Sequence, residues 1–122
     1  MEMTRFIEHV TERIYELDPS LQDRYGEKGK EKCRADNQHH LDHLQTAFEL
    51  NNAKVFTDYT LWLNGILQKF GMKTQTLLDN FVLLKEEFEL ISDMPDIQKN
   101  MYLSYLTDAI DILEQEKAKE EA

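Results

Sequence analysis

The 122-residue sequence predicts an all-α domain, an antiparallel up-down bundle of four to five helices. Three observations carry that expectation. Apolar residues recur at three- and four-residue steps along most of the chain, the spacing that gives a helix one oily face. Pro and Gly are scarce, at 2 and 4 residues, and punctuate the boundaries between those segments. No strand-type alternation competes with the helical period, and no internal repeat is visible.

The first helix is expected over about residues 3–17, with Met3, Phe6, Ile7, Val10, Ile14 and Leu17 on one face and Thr4 as the candidate cap. It stops at Asp18-Pro19, because the proline ring disfavours a helical Asp18 yet suits the first turn of a new helix. A short segment from Ser20 to Tyr25 ends in Gly26. The third segment, about Gly29 to Leu50, places Cys33, Asn37, His40, Leu41, Leu44, Ala47 and Phe48 on one stripe, two of them polar. Asn51-Asn52 breaks it. A fourth helix follows with Val55, Phe56, Tyr59, Trp62, Leu63, Ile66, Leu67 and Phe70 in an i, i+3, i+4, i+7 series, and Gly71 in the left-handed position that ends it. Thr74 is read as the cap of a fifth helix with Leu77, Leu78, Phe81, Leu84, Phe88 and Ile91 inward. The last helix runs from about Pro95 to Lys117. The domain is therefore set at residues 1–117, and residues 118–122, charged and without a stripe, are expected to fray. Short connections favour antiparallel neighbours.

Charge narrows the choice of partner. With 24 acidic against 14 basic residues and a net charge of -10, the chain lacks the clustered cations that bind phosphate backbones, so nucleic-acid binding is disfavoured. The one basic run, Lys28, Lys30, Lys32 and Arg34, is interleaved with Glu27, Glu31 and Asp36 and reads as a solvated helix face. No signal-peptide pattern opens the sequence, and no apolar run approaches the ~20 residues of a membrane span. A cytoplasmic location is expected. A single cysteine, Cys33, allows no internal disulfide.

The polar residues that stand out lie between Cys33 and His43, where three of the four histidines gather. His39 and His43, like Asp36 and His40, are one helical turn apart, a spacing that two metal ligands can share. Neither Glu-x-x-His nor His-Glu-x-x-His occurs, and the helical wheel spreads the three rings over different faces, so no metal or other cofactor is expected. His40 alone lies in the apolar stripe. It reads as a core or interface histidine satisfied by Asp36 or by a tyrosine of a neighbouring helix, with a ligand site or a pH-dependent interface as the alternatives. Cys33 reads as an apolar filler, and the Tyr25-Gly26-Glu27-Lys28-Gly29-Lys30 stretch as an inter-helix turn that lacks the ending of a phosphate loop. The aromatic face of Phe56, Tyr59, Trp62 and Phe70 reads as core, or as the lining of a cavity or docking surface.

Two stretches resemble a helical module of bacterial cobalamin-binding sensory regulators. They are Cys33-x-x-Asp36-x-x-x-His40-Leu41-x-x-Leu44 and Phe56-x-Asp58-Tyr59-x-x-Trp62, the latter followed by Leu67 and Gly71-Met72, with Arg24-Tyr25-Gly26 just upstream. Together they cover about residues 20–90. In the light-sensing members a Trp and a later Glu-His pair cap the cofactor. Trp62 matches the Trp, whereas the later positions hold Met72 and Lys73, and the Asp-x-His-x-x-Gly ligand segment is missing. The resemblance implies a stand-alone regulatory helical module and not a cobalamin protein.

The functional expectation is a non-enzymatic regulatory or protein-interaction module, with Asp36, His40, Tyr59 and Trp62 as its partner surface. The alternative is a small-ligand or cofactor sensor with a cavity between the third and fourth segments. A second partial stripe on the last helix, Tyr102, Leu106, Ala109 and Leu113, adds homodimerisation to the expectations.

Overall fold

The computed structural model describes residues 3 to 122 and is all-α. Its five helices are α1 (Thr4–Leu17), α2 (Ser20–Glu49), α3 (Ala53–Lys69), α4 (Thr74–Leu90) and α5 (Asp96–Glu121). Their shared interior is a single cluster in which Val10, Leu44, Phe56, Phe81, Leu84, Phe88, Leu106 and Leu113 are sealed from solvent.

The punctuation acts as the residue types dictate. Asp18 leaves the helical conformation ahead of Pro19, and its carboxylate accepts from the N–H and hydroxyl of Ser20 at 3.2 and 2.6 Å, capping the next helix. The short second segment and the third segment join into one α2 bent at Gly26 (φ 59°, ψ -148°), a backbone conformation that only glycine adopts cheaply. Asn51 takes a left-handed φ of 48°, and the Asn52 side chain accepts from the Lys54 N–H at 3.0 Å to start α3. At the far end of α3, Gly71 has φ 81° and donates to Gln68 O at 3.0 Å while Met72 donates to Leu67 O at 3.0 Å. Those two bonds are the Schellman closure.

Two sequence expectations give way here. Thr74 does not cap α4 with its own side chain. Instead its N–H and hydroxyl both donate to Glu120 Oε1, at 3.0 and 2.5 Å, and Gln68 Nε2 adds a third bond at 2.8 Å. Unpaired N–H groups at a helix start attract an anion, and the anion comes from the stretch expected to fray. Helix α5 accordingly continues through residues 118–121. At the opposite end of the same pair, Lys99 Nζ donates to the carbonyls of Glu89 and Ile91 at 3.0 and 2.8 Å. The start of α4 thus meets the end of α5 and the end of α4 meets the start of α5, so this pair runs antiparallel.

The third correction concerns faces. Helix α3 buries Phe56, Tyr59, Thr60 and Asn64, while Trp62 is 62% and Phe70 80% exposed. Thr60 is cheap to bury because its hydroxyl donates to Phe56 O at 2.8 Å, and the apolar arc is wider than the contact it makes. On α5, conversely, Tyr102, Leu106, Ala109 and Leu113 are all buried inside the chain. The stripe from which a homodimer was argued is used by the bundle itself.

Replacing Gly26 by Ala is expected to cost about 1–3 kcal/mol in urea unfolding, because the side chain strains the bend. Glu120→Ala is expected to lower the urea midpoint with an unchanged slope. Hydrogen bonds to Thr74 and Gln68 hold the Glu120 carboxyl below its ordinary value. Its contribution is therefore complete above the ordinary carboxylate range and lost as pH falls, so the difference between Glu120→Ala and the parent closes in acid.

Candidate functional site

The polar residues on the apolar stripe of α2 are joined to one another through the core. Asn37 is fully buried and His40 is 1% exposed. His40 Nδ1 lies 2.7 Å from Tyr59 Oη of α3, and the imidazole also hydrogen-bonds the Asn80 side chain of α4. Asn80 Nδ2 donates to Asn37 Oδ1 at 2.7 Å, and Asn37 Nδ2 donates to Cys33 O at 2.9 Å. One orientation satisfies every link. With the Tyr59 hydroxyl donating to Nδ1, the other ring nitrogen is left to the Asn80 side chain, and the two asparagines pass the direction on to the α2 backbone. The chain of bonds ties α3, α2 and α4 together, and the ring of Phe81 meets the imidazole edge-on, centroids 5.0 Å apart.

Burial sets the electrostatics. Desolvation holds the His40 pKa down to about 3, with the nearby His39, His43 and Lys32 acting in the same direction against the Asn80 hydrogen bond. The ring is therefore neutral at physiological pH and is a hydrogen-bonding element with no charge to offer. Burial likewise pushes the Tyr59 hydroxyl well above its ordinary value, so it stays protonated and remains a donor.

Around this fixed centre lies a wet aromatic layer. The ring of His43 stacks on that of Tyr59 with centroids 3.7 Å apart and planes 13° from parallel, and its Nδ1 lies 2.8 Å from His39 O. Trp62 sits on α3 one turn beyond Tyr59, centroids 6.3 Å apart. Of the four residues expected to form one surface, His40 and Tyr59 are directly bonded but buried, and Trp62, exposed, adjoins Tyr59. Asp36 does not partner His40. Its side chain faces solvent and takes Lys32 Nζ at 3.1 Å on both oxygens, because a half-exposed carboxylate is better solvated there than against a neutral buried ring. Sequence reasoning missed Asn80 and the stacking of His43. A signal for Asn80 existed, since it is a polar residue between Leu77 and Phe81 on the apolar face of α4.

Cys33 and Glu87 have structural partners, whereas Asn64 Oδ1, buried on α3, has no hydrogen-bond partner among the described residues. Cys33 is half-buried, its sulfur accepts from Asn37 Nδ2 at 3.6 Å, and burial pushes its thiol up, away from the reactive thiolate. Glu87 is buried on α4 and meets His9 Nε2 of α1 at 2.6 Å, with Arg13 Nη1 3.8 Å away. Among the described residues no three His, Cys, Asp or Glu side chains converge as a set of metal ligands. None of the helices described is long and apolar enough to cross a membrane.

Comparison with family models, with curated proteins and with solved structures finds no match to this chain.

Tyr59→Phe removes the hydroxyl bonded to His40 Nδ1 and is expected to cost about 1–3 kcal/mol in urea unfolding, the penalty of a buried acceptor left unpaired. The unfolded chain binds a proton at His40 near pH 6.5, whereas the folded chain resists it until about pH 3. Stability from this residue is complete above pH 6.5 and drains as pH falls through that window, by about 1.4 kcal/mol per unit for one proton. Urea midpoints measured across the window check this, and the slope should shrink by that amount in His40→Gln.

Proposed function

We propose that this chain is a non-enzymatic, cytoplasmic regulatory module that binds a protein partner through the α2–α3 face, with Trp62 as the anchor. The observation that carries this reading is the position of Trp62. Tryptophan is the side chain most enriched where binding energy concentrates, and here the chain's single Trp is 62% exposed beside a Tyr59 that the core holds in place. A preorganised aromatic surface binds at little entropic cost. Flanking groups are already neutralised, since Lys54 pairs with Asp58 at 2.7 Å and Lys32 with Asp36 at 3.1 Å. The rim is thus polar but locally balanced, and the partner is matched by an apolar side chain that stacks on the indole. The net charge of -10 favours a partner whose own surface is basic.

The non-enzymatic part of the reading is supported by the state of the candidate groups. The imidazole of His40 is sealed and neutral, and the Cys33 thiol is held protonated beside Thr11 and Asn37. The resemblance to the helical module of cobalamin-dependent regulators agrees with a regulatory role. The alternative, a sensor with a ligand between α2 and α3, is less favoured because the direct bond between His40 and Tyr59, with Phe81 against the ring, fills that space with side chains.

Trp62→Ala is expected to leave the helical circular dichroism unchanged and to abolish capture of the partner in a pull-down with the native chain. Because Trp62 is the single Trp, the captured protein should also shift its fluorescence to the blue. Equal capture by both forms would overturn the reading. A metabolite or chromophore retained in native mass spectrometry or absorbance would favour the sensor instead.

A further inference from the structure

Helix α3 carries a glycine that its own fold does not call for. Gly65 stands in the interior of Ala53–Lys69, where glycine weakens a helix relative to alanine. Its backbone is not left-handed, and a Cβ built on it meets nothing within 4 Å. The bundle gains nothing from the missing side chain, and the space it leaves open lies beside the indole of the docking face. At 100° per residue, Gly65 falls one turn on and between Leu61 and Trp62 around the helix, and these two are 43% and 62% exposed. Ile66, half-buried, borders Trp62 on the other side.

This strip is complementary to itself. When two copies of α3 lie antiparallel about a two-fold axis midway between residues 62 and 65, residue 62 comes level with residue 65 of the other copy and residue 58 with residue 69. The indole of Trp62 then enters the hole framed by Trp62, Gly65, Ile66 and Lys69 of the second copy, the four-residue frame into which a knob packs, and the bare Gly65 gives so large a knob its room. Asp58, held by Lys54 of its own helix at 2.7 Å, comes opposite Lys69 of the second copy. Lys69 is exposed and in no ion pair among the described residues. Of the five helices, α3 alone carries no acidic excess, with Asp58 against Lys54 and Lys69. The net charge of -10 sits elsewhere, so two copies meet where they repel least.

We propose that the Trp62 face also pairs with itself: a second copy of this chain docks antiparallel along α3, Trp62 of each copy seated over Gly65 of the other and Asp58 of each paired with Lys69 of the other. The proposal rests on the reading of Trp62 as an exposed anchor and adds a control to it. Self-pairing covers the indole that a partner must reach, so the two events exclude each other. The stripe of α5 is enclosed by the bundle, and α3 is where a second copy finds a matching surface. One helix from each chain makes an interface smaller than the about 1,200–2,000 Å² of stable complexes, so the pair exchanges with single chains.

Sedimentation equilibrium of the full chain, from about 1 μM to about 1 mM, is expected to show a reversible shift from one chain to two, with the Trp62 fluorescence moving to the blue over the same range. Gly65→Leu fills the hole and is expected to weaken self-association about tenfold or more. The same variant should leave the urea midpoint unchanged or raise it, because leucine is the better helix former and the position is uncrowded. Asp58→Lys is expected to weaken the pair as well, and adding Lys69→Asp to restore it, since residues 58 and 69 are three turns apart within one helix and meet only across the two-fold. A chain that stays single at the highest concentration, or a dimer unchanged by Gly65→Leu, contradicts the pairing. The two readings fail apart. Partner capture lost in Trp62→Ala with the chain single throughout strikes out the second copy alone, whereas self-association with capture unchanged in Trp62→Ala strikes out the partner alone.

Discussion

The contact on which the rest of this structure depends is the 2.7 Å bond between His40 and Tyr59. An imidazole and an asparagine on the oily side of α2 are tolerable only if every donor meets an acceptor. The molecule meets that demand with one residue from each neighbouring helix. Tyr59 is thereby fixed in angle and depth, and with it the aromatic layer of His43 and Trp62 that reaches solvent. A purely apolar stripe would pack α2 and α3 equally well without setting their rotation against each other. The polar chain from Tyr59 to Cys33 therefore supplies specificity more than cohesion, which comes from Phe56, Phe81, Phe88 and the leucines around them.

The sequence carried the fold class because helix periodicity survives almost uninterrupted, and each boundary is marked by a residue with a backbone reason to be there. Asp18-Pro19, Asn51-Asn52 and Gly71 all end or start helices by local means, so local inspection finds them. Gly26 was found as a boundary but not as a bend, since a glycine that stops a helix and one that redirects it look alike until the next turn is placed. The helical stretch beyond Lys117 was missed for the opposite reason. Nothing near residues 118–121 has a stripe, and what holds Glu120 lies on α4, far away in sequence.

The candidate site was legible in half. His40 announced itself as a titratable residue on an apolar face, and a tyrosine from a neighbouring helix was among its foreseen partners. Asp36 was the competing choice on spacing alone, but spacing ignores depth, and the carboxylate stays where water and Lys32 reach it. The indole of Trp62 was assigned to an apolar arc that α3 only partly buries. Periodicity gives the arc's direction and not its width, which depends on how many neighbours crowd the helix. The same limit explains α5, where Tyr102, Leu106, Ala109 and Leu113 looked surplus and are in fact enclosed.

The clasp between Glu120 and the start of α4 spans 46 residues of chain. Most contacts in a helical bundle form between near neighbours and cost little loop entropy, which is why such folds assemble quickly. This one is different. It finishes the first turn of α4 with a carboxylate from the far end of α5, a pairing of chain segments whose closure costs more loop entropy than one between near neighbours. One carboxylate thus serves both helices, closing the last turn of α5 onto the first turn of α4.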